Sequence, residues 1–313
     1  MRLIKSDTNI DFIGKRKLAV AFSLVMILVG IVSLIAKGGP NYGIDFAGGM
    51  LVQVKFQTDT TPPEIREALA GVDLGPIGVQ QFGDEANEFL IRTQVTTTEI
   101  EGLAQQVDLV LEQSYGADMV ELRRAEMVGP QVGQELRTKG MLAILYAMVG
   151  ILIYVTWRFE FRFALGAIIA LMHDVLITLG LFSLFGREID LPIVAAFLAI
   201  IGYSLNDTII VYDRIRENMA KHGREGLPAV INKSINQTLS RTILTSGTTL
   251  MVVLALFIFG GGVIHNFAFA LLIGVIVGTY SSIFVASPIL IFWENWRPRK
   301  ESQAEDVAQE VAS

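Results

Sequence analysis

The sequence predicts an α-helical bundle of six membrane spans, with one compact α+β domain inserted between the first span and the second. Three observations predict it. Hydrophobic residues make up 52% of the 313, and mean hydropathy is +0.50, too apolar for a water-soluble domain of this size. Six mainly apolar runs each approach the ~20 residues that a helix needs, at ~1.5 Å rise, to cross ~30 Å of hydrocarbon. Residues 37–139, between the first and second runs, contain no such run and change periodicity from segment to segment, as a folded α+β domain does.

Residues 1–17 read as a polar, basic leader and 18–36 as the first span. That span follows Lys15, Arg16 and Lys17 but is long and lacks a small-x-small cleavage pattern, so it is a retained helix rather than a signal peptide. Next comes Gly43-Ile44-Asp45-Phe46-Ala47-Gly48-Gly49. No Lys-Ser/Thr follows and the next residues alternate like a strand, which argues for a tight turn feeding a strand rather than a phosphate loop. The functional alternative is that Gly43, Asp45, Gly48 and Gly49 form a docking point at the membrane surface. Strands are expected at 51–56, 78–82, 88–93 and 118–128, helices at 62–70 and 98–114, and a hairpin turn at Gly83-Asp84. The order βαββαβ is the split, ferredoxin-like arrangement. The segment has no His or Cys and its acids are scattered, so it reads as a binding or mechanical module.

The remaining spans are expected at 140–157, 163–185, 191–212, 241–260 and 267–293. Residues 213–240 form a basic loop with a helix at 227–239, and 294–313 a tail. Arg158, Arg162, Arg214, Arg216, Lys221, Arg224, Lys233 and Arg241 crowd the loops of one side, whereas the opposite short loops hold only Arg187. By the positive-inside rule both termini are then cytoplasmic and the inserted domain faces outward. The absence of Cys means that this domain folds without disulfides. Gly274 and Gly278 in the sixth span give a small-xxx-small face for close helix packing.

The ionisable residues inside these spans carry the functional question. Asp207 lies in the fourth span with Tyr203, Ser204, Asn206 and Thr208, and a charged carboxylate at depth costs at least ~2.5–3.5 kcal/mol. Arg241 enters the fifth span from the same side, at a compatible depth, so the two are expected to pair. A pair that opens and closes is a proton acceptor that switches with conformation. Thr245 continues the polar face of Arg241, although hydroxyls in membrane helices often bond only their own backbone. Ser204 and Asn206 could also ligate Na⁺ together with Asp207. His173 and Asp174 fall in the middle of the third span, about 100° apart round the helix, so they are expected not to face each other as a dyad. They are either a structural pair bonded to neighbouring helices or a point on a proton path. No catalytic or metal-binding pattern appears.

Together these motifs resemble the SecD/SecF family of protein-export membrane proteins, relatives of the resistance-nodulation-division (RND) transporters, over nearly the whole chain. The glycine stretch 43–49 matches the family's motif after the first helix, with Ala47 where Thr or Ser is frequent. Gly202-Tyr203-Ser204-Leu205-Asn206-Asp207-Thr208, then Tyr212-Asp213-Arg214, matches the fourth-helix motif, with Tyr212 where Phe is common. Arg241-Thr242 and Thr245-Ser246 match the start of the fifth helix. The resemblance implies an RND-like bundle and a SecD partner supplying a second set of six helices. It implies that Asp207 and Arg241 belong to a proton pathway at that interface, with H⁺, or Na⁺, as coupling ion and no cofactor. It further implies an ion-driven translocase subunit of the bacterial inner membrane rather than an enzyme. Its associates would be the SecYEG channel, YajC, YidC, indirectly SecA, and unfolded preproteins, with no nucleic acid. The alternatives are an RND-type exporter half and a passive assembly scaffold.

Overall fold

The computed structural model describes residues 9–72, 75, 77–82, 87–93, 102–222 and 225–296. The expected turn at Gly83-Asp84, the first residues of the expected helix 98–114, Arg224 and the tail beyond 296 lie outside them.

Among the described residues six helices are long and apolar enough to cross a membrane. The first, α1 (Arg16–Ala36), is followed by a single turn, α2 (Ile44–Ala47). The inserted domain then runs β1 (Gly49–Phe56), α3 (Pro62–Ala68), β2 (Ile77–Gln81), β3 (Glu88–Thr93), α4 (Leu103–Tyr115) and β4 (Val120–Val128). The chain returns through α5 (Pro130–Arg158), α6 (Phe161–Leu184), α7 (Leu191–His222), α8 (Leu227–Phe259) and α9 (Gly262–Ser281). A π-helical stretch, Ser282–Ala286, joins α9 to α10 (Ser287–Trp296). Below, the "domain end" of the bundle is the one that carries the inserted domain, and the "basic end" is the opposite one.

The domain forms for reasons written in its sequence. On β1, Met50, Val52, Val54 and Phe56 alternate with half-buried Leu51, Gln53 and Lys55, so one strand face is apolar and a helical layer must cover it. Ile65 and Leu69 on one side and Val107 and Leu111 on the other supply that layer, joined by Phe89 and Ile91 of β3. Thr61 and Glu64 start α3 with a reciprocal capping box, and Pro follows at its first turn. The sheet order is β2-β3-β1-β4, antiparallel throughout, as a βαββαβ chain folds.

In the bundle the differences from expectation are at the helix ends. α5 starts at Pro130, well before the apolar run does. The expected loop 213–240 is almost entirely helical, because α7 and α8 extend past the hydrophobic stretch as a hairpin. Hydropathy marks only the part in lipid; the extension is stabilised by polar pairs. Glu217 accepts from Arg214 and Lys221 at helical spacing, and Asn218 donates to Ser234 and Gln237 across the hairpin, 2.9 Å each.

Small residues fix the helix crossings. α1 and α6 run parallel and touch at Gly30 and Gly180, where a Cβ on Gly30 would lie 2.7 Å from the other backbone. Ser33 and Ser183 are hydrogen-bonded one turn on, at 2.9 Å, and Lys37 donates to the Ser183 and Leu184 carbonyls at the end of α6. α9 presses against α7 through Gly274, under Ile200, and Gly278, under Ser204, the small-residue face read from the sequence.

Candidate functional site

Among the described residues two buried acids lie in the bundle, and the chain treats them differently. Asp174 on α6 is fully supplied with donors. Its Oδ1 accepts from His173 Nδ1 at 2.9 Å, and its Oδ2 accepts from Ser204 of α7 at 2.5 Å and from Ser281 of α9 at 2.8 Å. With Nδ1 donating, His173 Nε2 accepts from Ser23 of α1 at 2.9 Å. The expectation that His173 and Asp174 do not face each other is therefore wrong. Their Cβ directions diverge by about 100°, but both side chains are buried and bend together, His173 Nδ1 to Asp174 Oδ1. Four helices meet at this cluster, and Gly278 allows it, since any side chain there would keep Ser204 away from Asp174.

Asp207 on α7 is as buried as Asp174, with no accessible surface, but is poorly supplied. Oδ2 has one donor, Ser246 of α8, at 3.3 Å. That hydroxyl also lies 2.7 Å from Thr279 Oγ1, whose own proton goes to the Val275 carbonyl. One Ser246 proton thus serves two acceptors, and the longer contact is the one to Asp207. Asp207 Oδ1 has no partner among the described residues; neither has the buried hydroxyl of Tyr203, one turn earlier on α7. An unpaired charge is not tolerated in such surroundings. The site is complete only with a proton, a cation, or a donor from another chain.

The other expected residues divide. Arg241 is exposed and makes no ion pair with Asp207 within 4.0 Å; the expected pair is not closed. The cause is helical phase: Ser246 faces Asp207, and five residues at ~100° each turn Arg241 about 140° away from it. Asn206, next to Asp207, is exposed on the outer surface of the bundle. Ser204 belongs to the Asp174 cluster, so Ser204, Asn206 and Asp207 do not converge on one ion. Thr245 donates to the Arg241 carbonyl at 2.9 Å, the local bond that hydroxyls in helices often make. The sequence marked Ser246 only as part of the fifth-helix motif and gave no signal for Thr279 or Ser281; the packing shows that Ser246 and Ser281 each reach an acid and that Thr279 shares the Ser246 proton. Among the described residues no three His, Asp or Glu side chains are arranged to hold a metal.

The glycine-rich stretch docks the domain onto the bundle. Gly43 N donates to Ile189 O, and Ile189 N to Asn41 O, both 2.8 Å, a short parallel bridge to the α6–α7 turn. Asp45 Oδ2 accepts from Leu191 N at 2.9 Å, capping α7 from outside. Gly48 has φ +76° and its Cβ would lie 2.9 Å from Pro130 Cα, so a side chain is excluded twice over. Arg92 of β3 adds an ion pair with Glu188. Burial raises the Asp190 carboxyl above its usual range, the Asp45 charge adds to this, and burial lowers Arg92. Between the open sheet face and the domain end lies a cavity of about 800 Å³, bordered by Gln53, Leu90, Arg92 and His265.

Fold and site define a class, a polytopic membrane protein with an incompletely paired acid in a helix seam and a soluble domain strapped to the bundle by glycines. Residues 110–296 match the model for "Protein export membrane protein SecD/SecF, C-terminal", and residues 33–60 match the "SecD/SecF GG Motif". The chain belongs to the SecD/SecF family of protein-export membrane proteins. It is 50% identical over 296 residues to the protein translocase subunit SecF of Desulfurispirillum indicum, covering 93% of this chain and 92% of that one. To the SecF subunit of Magnetococcus marinus it is 51% identical over 305 residues, covering 96% and 97%. The solved structure of SecDF from Thermus thermophilus, a translocon-associated membrane protein, is similar with a TM-score of 0.82 and 36% identity. That match covers 94% of this chain and 40% of that one, so the chain spans under half the length of the solved SecDF.

Proposed function

We propose that the chain, paired with SecD in the inner membrane, couples an ion gradient to movement of its outer domain and so draws preproteins out of the SecYEG channel. The observation that carries this reading is Asp207: buried, with one weak donor and one empty oxygen, in a chain whose other intramembrane acid is fully bonded. Asp174 then acts as the fixed strut and Asp207 as the group that gains and loses an ion. Exposed Asn206 and Arg241 and the unbonded Tyr203 hydroxyl lie on or near the surface to which SecD's helices would add, and that partner would complete the site. Basic residues gather at the end opposite the domain, which supports cytoplasmic termini and a periplasmic domain. A charge crossing 100 mV gains ~2.3 kcal/mol, enough to bias a domain swing and too little to unfold a stable protein in one step. The coupling ion is H⁺ or Na⁺; YajC, YidC and SecA are the further associates expected on this reading.

The test is completion of preprotein export in vesicles carrying SecD and this chain, after ATP-driven translocation has been stopped, with an imposed H⁺ or Na⁺ gradient. Asp207→Asn is expected to remove gradient-dependent completion while still assembling with SecD. If the variant exports as well as wild type, the acid is structural and the scaffold reading replaces this one.

A further inference from the structure

A second cavity, of about 820 Å³, opens on the outside of the bundle between α1, α6 and α10. Its walls are apolar: Leu24, Leu176 and Phe292 line it and remain exposed in the chain. Its mouth, at the basic end, is formed by Arg16 and Lys17, and no carboxylate of the described residues lies within 4.0 Å of either. One wall of the groove is the point at which the last span departs from a regular helix. Pro288 lacks the N–H that the Phe284 carbonyl would accept, and the stretch Ser282–Ala286, one residue before it, takes π-helical form. Phe284 and Val285 of that stretch, with Pro288, line the groove.

The depth of the groove distinguishes between occupants. On α1 its lining runs from Arg16 to Ile27, eleven residue steps or about 16 Å at helical rise. That is one leaflet of a hydrocarbon core ~30 Å thick. One turn further α1 and α6 close on each other at Gly30 and Gly180, so a spanning helix from another subunit or a second copy finds no continuation. The structure assigns the groove to one acyl chain of an anionic phospholipid of the leaflet at the basic end, its phosphate on Arg16 and Lys17 and its chain running past Ser23 and His173 to Ile27. The bound lipid would thereby press on the α1 end of the Asp174 cluster.

The full chain, purified in neutral detergent and titrated with phosphatidylglycerol or phosphatidylcholine, is read by native mass spectrometry. One phosphatidylglycerol is expected to stay bound, about 30-fold more tightly than phosphatidylcholine, from two cations near the phosphate. Arg16→Gln with Lys17→Gln should bring the two lipids level. Leu176→Trp, which fills the groove and leaves both cations in place, should remove retention of either. Equal retention of the two lipids by wild type, or undiminished phosphatidylglycerol binding by Leu176→Trp at an unchanged unfolding temperature, overturns the assignment. A dimeric species that the same tryptophan dissociates would give the groove to a second copy and overturn it as well.

Discussion

Adding one methyl group at Gly278 tests the idea that the Asp174 cluster is made possible by a close helix crossing. A Cβ there meets Ser204 Cβ at 2.9 Å and Ser204 Cα at 3.3 Å, whereas carbon atoms rest ~3.5–4.0 Å apart. Relief needs α7 and α9 to part by roughly 0.6–1 Å. If Ser204 moves by that much, its bond to Asp174, 2.5 Å long, stretches to about 3.1–3.5 Å and is weakened or lost. Overpacking costs ~1–3 kcal/mol and an interhelical hydrogen bond in a membrane is worth ~0.6–2 kcal/mol, so Gly278→Ala should cost about 2–5 kcal/mol with the clash as the larger part. The assay is reversible unfolding of the detergent-solubilised chain, with Gly247→Ala as reference, since a Cβ at Gly247 meets nothing within 4 Å. Ser204→Ala should lose most of its own penalty in the Gly278→Ala background, because the bond it removes is already weakened or lost. Equal stability of Gly278→Ala and Gly247→Ala, or additive losses in the double variant, would refute the reasoning.

Three further outcomes are expected. Because the folded-state carboxyl of Asp190 titrates above its unfolded value, its contribution to domain docking is fully present below about pH 4 and is lost as pH rises through the folded value. Asp190→Asn, which can still accept from Ile193 N, should remove that slope, as read by hydrogen exchange at 189–191 across this range. Ser246→Ala should cost under about 1 kcal/mol of stability, the bond being long and shared, yet change the rate of gradient-driven export; an unchanged rate would mean that Ser246 plays no part in the ion step. Gly48→Ala must adopt φ +76° at a cost of ~1–2 kcal/mol and also meets Pro130, so limited proteolysis should cut the 37–48 connection faster than in wild type.

Where a residue's role follows from period and composition, the sequence could be read directly. The strand alternation of β1, the helix expected at 62–70 with Pro in its first turn, and the small-residue face of Gly274 and Gly278 are of this kind, and each sits where its pattern places it. The helix expected at 227–239 is the start of α8, but its continuity with the fifth span and the extension of α7 to His222 were not legible, because hydropathy ends at the lipid boundary while the helices continue on polar pairs. Nor was the partition of the site. A compatible depth for Asp207 and Arg241 says nothing of the azimuth of α8 until one contact, Ser246 with Asp207, sets its rotation, turns Arg241 outward and leaves it about 7–8 Å nearer the basic end. His173 and Asp174 show the same limit from the other side, since backbone directions alone wrongly separated two side chains that bend together.

The seam between α1 and α6 is made of residue pairs at a constant separation: Ser23 with His173, Gly30 with Gly180, and Ser33 with Ser183, each 150 positions apart. During synthesis at ~5–20 residues per second, the partner of α1 emerges roughly 8–30 s after α1 itself. In that interval the inserted domain and α5 are made, while Ser23 and Ser33 have only their own helix backbone to bond. Release of α1 into the bilayer and closure of its seam are therefore separate events in biogenesis, and the first helix made is held as a single span until the third arrives to seat it.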